Sequence, residues 1–184
     1  MENISSEEKN NNLKNQIIQT NFKTINSDDF IVLLRDIEQY KIVPFLKNKE
    51  ERYLLDIFVN LFTIFRSKDK RNYDLCYSIG KDIIDQINEW GCISYINTIK
   101  ESLLKNESKN EREYAYKLLI YLIKNYDTQI SLSMSELIPI VTNDTNSPIR
   151  EVKNISLKCL ELLLNCSGNN DLNPFIPIVL KAIV

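Results

Sequence analysis

The 184-residue chain contains no histidine. That excludes Ser-His-Asp and Cys-His nucleophiles, HExxH zinc sites and histidine general bases, and with them most hydrolase designs. Glycine is nearly as scarce. Gly80, Gly91 and Gly168 each stand alone, so no Gly-x-x-x-x-Gly-Lys-Ser/Thr run exists to cradle a nucleotide phosphate. A basic excess is also missing: 23 Lys and Arg against 25 Asp and Glu give a formal charge of −2 and a pI near 5.4. Nucleic acid as the main ligand would need many phosphate-neutralising cations, and this balance disfavours it. No window approaches the eighteen apolar residues of a membrane span, and Met1–Asn12 is polar and acidic, without the apolar stretch of a secretory leader. A cytoplasmic location with no membrane contact is expected.

Alanine occurs only at Ala115 and Ala182, although it is the best helix former. Asn, Ile, Lys and Tyr are abundant instead, a skew that reads as a bias toward AT-rich codons. Cys76, Cys92, Cys159 and Cys166 show no CxxC spacing, so disulfides and structural zinc are disfavoured and reduced, semi-buried packing residues are expected. No cofactor or metal is expected.

What is present is helical periodicity. Residues 1–26 read as a flexible polar arm with one small apolar cluster, Ile17, Ile18 and Phe22. Ser27 followed by Asp28 and Asp29 predicts a helix start ahead of Phe30, Leu33, Leu34 and Ile37. A second helix is predicted over 50–66 on Leu54, Leu55, Phe58, Leu61, Phe62 and Phe65, with Pro44 opening a short extra helix between the two. Further helices are predicted over 72–88, 93–104, 110–126, 135–142, 148–165 and 173–184, with Trp90-Gly91 closing one of them and Trp90 packing a helix end.

An internal repeat organises these helices. Leu137-Ile138-Pro139-Ile140-Val141 recurs as Phe175-Ile176-Pro177-Ile178-Val179. Ala115, Leu119, Leu122, Ile123 and Asn125 match Ile155, Cys159, Leu162, Leu163 and Asn165 at an offset near forty, and Cys76, Gly80, Ile83, Ile84 and Ile87 extend the pattern backwards. A period near forty with two helices per unit is the HEAT or armadillo signature. The predicted fold is therefore an all-α, HEAT/armadillo-like α-solenoid of about four helical hairpins, a right-handed superhelix, over residues 27–184. Its approximate units are 27–66, 68–105, 108–143 and 146–184. Pro139 and Pro177 are expected in the first turn of their helices, where a missing N–H does no harm.

Few residues suggest chemistry. Glu7-Glu8, Asp28-Asp29, Glu50-Glu51 and the Glu111 and Glu113 pair sit at helix starts or in polar stretches, where acids complement the helix dipole. Arg66-Ser67-Lys68-Asp69-Lys70-Arg71 is the dense basic segment, and Lys105, Lys109, Arg150 and Lys153 near later turns would extend it into a basic edge for an acidic partner or RNA. Tyr114, Tyr116 and Tyr121 and the Phe58, Phe62 and Phe65 stripe read as core rather than base-stacking platforms. Val179-Leu180-Lys181-Ala182-Ile183-Val184 is an apolar end that self-association, partner helices or further chain would cover.

Met134-Ser135-Glu136-Leu137-Ile138-Pro139-Ile140-Val141, then Glu151-Val152-Lys153, then Asn170-Asp171 ahead of Phe175-Ile176-Pro177 resembles the N-terminal HEAT domain of the fungal translation elongation factor three family. It resembles more distantly the central HEAT region of the large activator of the general-control kinase. The resemblance implies a ribosome-associated scaffold surface. Those factors draw their activity from two ATP-binding cassettes, whose phosphate loop this sequence does not contain. The expectation is thus a non-catalytic scaffold for a protein partner or the ribosome, with no small-molecule substrate and no assigned binding residues. A generic adaptor and a degenerate remnant of a longer factor are the alternatives, and a helical-repeat nucleic-acid enzyme is the rival from another class.

Overall fold

The computed structural model describes residues 6–46, 51–67, 69–105, 108–166 and 176–183, and every regular element among them is helical. They fall into two compact units, Met1–Ile87 and Asn88–Val184.

In the first unit α1 (Ser6–Gln19) packs on α2 (Ser27–Tyr40), and α2 and α3 (Glu51–Arg66) both pack on α4 (Tyr73–Ile84). The segment expected as a flexible arm is thus largely a helix. Leu13 and Ile17 recur one turn apart and are buried with Phe22, and this narrow stripe suffices to dock an otherwise polar helix. The start of α2 is shifted by one residue from the expected Ser27. Asn26 is the cap, its Oδ1 accepting from the Asp29 N–H at 2.9 Å while its amide donates to the Asp29 carboxylate at 2.6 Å. This reciprocal arrangement satisfies one of the orphan donors of the first turn. The helix ends in a left-handed residue, Lys41 at φ 48° and ψ 46°, a conformation that favours glycine. The short helix expected at Pro44 is present as a 3-10 helix, Val43–Leu46.

Helix α3 carries its aromatics inward. Phe58, Phe62, Phe65 and Tyr73 form a chain of edge-to-face contacts with centroids 5.7, 5.8 and 5.7 Å apart, the last link crossing to α4. The Tyr73 hydroxyl donates to the Phe65 carbonyl at 3.2 Å, so the polar tip of this cluster is satisfied. Ile57 and Ile64 join the core, whereas Leu55 is half-buried.

The second unit comprises α5 (Cys92–Lys105), α6 (Lys109–Asn125), α7 (Asp127–Ser131), α8 (Met134–Asp144), α9 (Arg150–Leu164) and α10 (Ile176–Ile183). Helix α5 packs on α6, α7 and α8; α6 packs on α9; α8 packs on α9 and α10. Consecutive helices thus pair and then stack on the pair that follows. The repeat seen in sequence extends to hydrogen bonding: Asn125 and Asn165 each donate a side-chain N–H to the carbonyl four residues earlier, at 2.8 and 2.9 Å.

Pro139 is not in the first turn, because α8 begins at Met134 and Pro139 is its sixth residue; the Ser135 carbonyl therefore has no N–H at position 139 to accept from. Pro177, the second residue of α10, does occupy a first turn. Glu111 stands in the first turn of α6, at a helix start as expected. It is buried and accepts from the Ser102 hydroxyl at 2.8 Å, tying α6 to α5. Asp144 is also buried, paired with Arg112 and accepting from the Tyr116 hydroxyl at 2.7 Å, which ties α8 to α6.

Candidate functional site

Trp90 does not pack a helix end. The turn before α5 is held by the Gly91 N–H, which donates to the Asn88 side chain at 2.7 Å, and Trp90 stands 90% exposed above it. Beside it Ile93, in the first turn of α5, is 46% exposed. Across from them Leu132 caps α7 and is 75% exposed, although Ile130 two residues earlier is fully buried and anchors that short helix. These three side chains line a groove of about 410 Å3 with Glu89, Thr128, Gln129 and Ser131. Its lining is mostly apolar, and Glu89 is the charged member. Large apolar side chains gathered at one exposed groove make it a candidate contact site.

A second groove of about 350 Å3 opens at the other end of α5, where Leu104 is 63% exposed and faces Pro139 and Ile140 of α8. Arg112 and Asp144 close it, and their ion pair is largely buried. Burial, reinforced by the Asp144 carboxylate, raises the Tyr116 hydroxyl far above the usual phenol range, so it stays a proton donor to Asp144. The pair and its tyrosine brace the helices and leave no group poised for proton transfer.

The residues singled out from sequence are mostly accounted for locally. Lys68 lies outside the described residues. Arg71 clasps Asp69 with contacts of 2.7 to 3.0 Å, and this guanidinium holds the Asp69 carboxyl at about 2. Lys105 pairs with Glu101 and Lys109 with Glu151, each at 2.8 Å. Arg150 and Lys153 are exposed on α9. Three members of the expected basic edge, Arg71, Lys105 and Lys109, are thus each paired with a nearby carboxylate. Tyr114 and Tyr116 are buried, as the core reading requires, and Lys117 lies 4.1 Å over the Tyr114 ring.

All four cysteines are free and buried. Desolvation pushes the Cys76 thiol up to about 12 and Cys92 and Cys166 to about 11, with Cys159 raised further still. Such thiols are inert packing groups rather than nucleophiles. Among the described residues no three His, Cys, Asp or Glu side chains gather as a metal site, and no helix is long and apolar enough to cross a membrane. The apolar end expected at Val184 falls outside the described residues; Ile176 and Leu180 of α10 are exposed.

Sequence reasoning missed the Trp90 groove because its far wall, α7, is five residues long and shows no period. The available signal was a tryptophan beside a turn glycine, with Leu132 isolated among Ser131 and Ser133.

Comparison with known proteins gives one consistent answer. The EF3 N-terminal HEAT repeat family matches residues 4–169, a span that includes α1. Elongation factor 3 of Pneumocystis carinii is 22% identical over 153 residues, which cover 83% of this chain and 14% of that protein. The chain thus spans a small part of the length of this relative. With most of its residues matched, and with paired helices stacking as that repeat requires, the chain belongs to the EF3 N-terminal HEAT repeat family.

Proposed function

We propose that the chain is a non-catalytic scaffold that docks a macromolecular partner through the Trp90 groove and works in translation, on the ribosome. The carrying observation is the groove itself: a nearly fully exposed tryptophan beside Ile93 and Leu132, on a repeat fold of a type that is typically non-catalytic. Family membership and the relative's name, an elongation factor, support the link to translation. In this reading the protein is cytoplasmic, takes no cofactor or small-molecule substrate, and needs no membrane. Its hairpins divide near 27–66, 68–105, 108–143 and 146–184, preceded by α1.

The local pairing of Arg71, Lys105 and Lys109 favours a protein surface over RNA phosphates as the contact. Co-sedimentation with ribosomes across a salt series tests this. Binding through an apolar groove falls only weakly with salt, whereas each neutralised phosphate adds about −0.7 to −0.9 to the slope of log K against log salt. A shallow slope supports the Trp90 groove. A slope steeper than about −3 returns the contact to the basic segments, and absence of saturable binding removes the ribosomal reading.

A further inference from the structure

We propose that the α5/α8 face binds an amphipathic helix of a partner protein, one that presents two apolar anchors about three turns apart and lysine or arginine beside them. This rests on the scaffold reading above and specifies its occupant.

The two grooves share α5 as one wall. Ile93 lines the first and Leu104 the second. They are eleven residues apart, so they lie on nearly the same side of the helix and about 16 Å from each other. Leu132, ahead of α8, and Ile140, within it, supply the opposite wall at the two ends. Between the ends the ion pair of Lys100 with Glu136 ties α5 to α8. The face therefore offers an apolar pocket at the Trp90 end and, at the other, a mixed one in which Leu104, Pro139 and Ile140 stand beside Arg112, Asn143 and Asp144, with a polar bridge between them. An extended strand alternates its side chains and would place one anchor every other residue. A helix repeats its apolar stripe along one side and reaches both pockets with residues three turns apart, as in helix-in-groove recognition.

Charge selects the flanks of that helix. The cations on this face among the described residues are each tied to a carboxylate: Lys100 to Glu136, Lys105 to Glu101 and Arg112 to Asp144. Lys100 is the better buried member of its pair, leaving the Glu136 side chain toward water. Glu89 adds a further acid at the Trp90 end. The surplus is negative, so a cationic flank is complementary and an anionic one is repelled.

Trp90 is the one tryptophan of the chain and stands inside the proposed interface, so it reports binding directly. The test titrates the full chain with a synthetic amphipathic peptide of about five helical turns, with leucines at helical spacing and lysines beside them, and with its glutamate-flanked counterpart. The expected result is a saturable blue shift of Trp90 emission, tighter for the lysine peptide. Leu104→Ser and Ile140→Ser at the far pocket should each weaken it about tenfold, with the far-ultraviolet helical signal unchanged. The proposal is overturned by absence of a saturable shift, by equal affinity for both peptides, or by affinity unaffected by the far-pocket variants. A blue shift that grows with protein concentration alone overturns it in favour of a second copy as occupant. If the peptide fails while Trp90→Ala still weakens ribosome binding, the helix is wrong and the scaffold reading stands.

Discussion

A tryptophan left in water forgoes the burial of about 150 Å2 or more, worth on the order of 4 kcal/mol at about 25 cal/mol per Å2. In the scaffold proposed above, a partner covering Trp90 would recover that free energy. As the chain's one tryptophan, it should emit at the long-wavelength, water-exposed limit and be fully quenched by acrylamide in the isolated protein. Blue-shifted, protected emission would contradict the placement. The cysteines show the opposite case. With thiols raised to about 11 and 12, native Cys92 and Cys166 carry roughly two-hundredfold less thiolate at pH 8 than free cysteine does, and Cys76 roughly two-thousandfold less. A colour-forming disulfide reagent should label none of the four rapidly in the native state and all of them in denaturant; fast native labelling would show that the core is open. The sequence revealed these cysteines as packing groups because they lack CxxC spacing and a free cysteine is commonly buried. It misread Trp90 because exposure at a turn depends on what packs across from it, and α7 has too few residues to announce itself.

Whole helices were legible wherever a stripe ran for three turns or more, and boundaries shifted where capping chemistry decided them. Asn26 takes the place of Ser27 as cap, its side-chain carbonyl and amide both reaching Asp29. Helix α1 was read as an arm because its buried stripe is two residues wide and the rest is polar; docking on α2 supplies what its propensity lacks. The distinction is measurable. Ile17→Ala should cost about 2–4 kcal/mol in denaturant unfolding, and Ile18→Ala, at a 37% exposed position, less than about 0.5. Equal, negligible effects would restore the arm. The left-handed end of α2 makes a prediction of the other sign. Lys41→Gly removes a strain of about 1–2 kcal/mol and loses an exposed ion pair to Glu38 worth less than about 1, so it should be neutral to stabilising. In the second unit, Asp144→Ala strands Arg112 and the Tyr116 hydroxyl and should cost about 3 kcal/mol or more, detectable as a lowered denaturation midpoint. The periodic pattern did not reveal this brace, since Asp144 and Arg112 lie on different helices and meet only after packing.

For the molecule as a whole, the repeat and the family were open to reading because stacking hairpins must renew the same apolar positions at each period. The proposed contact surface was not, because it lies on a face that packing leaves free. The absence of histidine sets the pH response. No side chain of ordinary pKa titrates between pH 6 and 8, so stability should be flat there. The raised thiols act above that range. Their folded pKa values exceed the unfolded value of about 8.5, so the folded chain keeps protons that the unfolded chain releases. Stability is then complete below about pH 8.5 and falls as pH rises toward 11–12, by about 1.4 kcal/mol per pH unit for each such thiol. Tyr116 adds a loss of the same sign above about pH 10. Denaturant midpoints should therefore hold level through neutrality and drop from about pH 9; a rise there would contradict the buried placement of these groups.

The central claim is that the chain is a scaffold acting through the Trp90 groove. It is tested most directly by co-sedimenting wild-type protein and Trp90→Ala with ribosomes side by side, after confirming that both are folded. The account predicts saturable wild-type binding and a loss of about thirtyfold in the variant, the effect of a 2 kcal/mol hot spot. Indistinguishable binding by the two proteins, or none by the folded wild type, would contradict it.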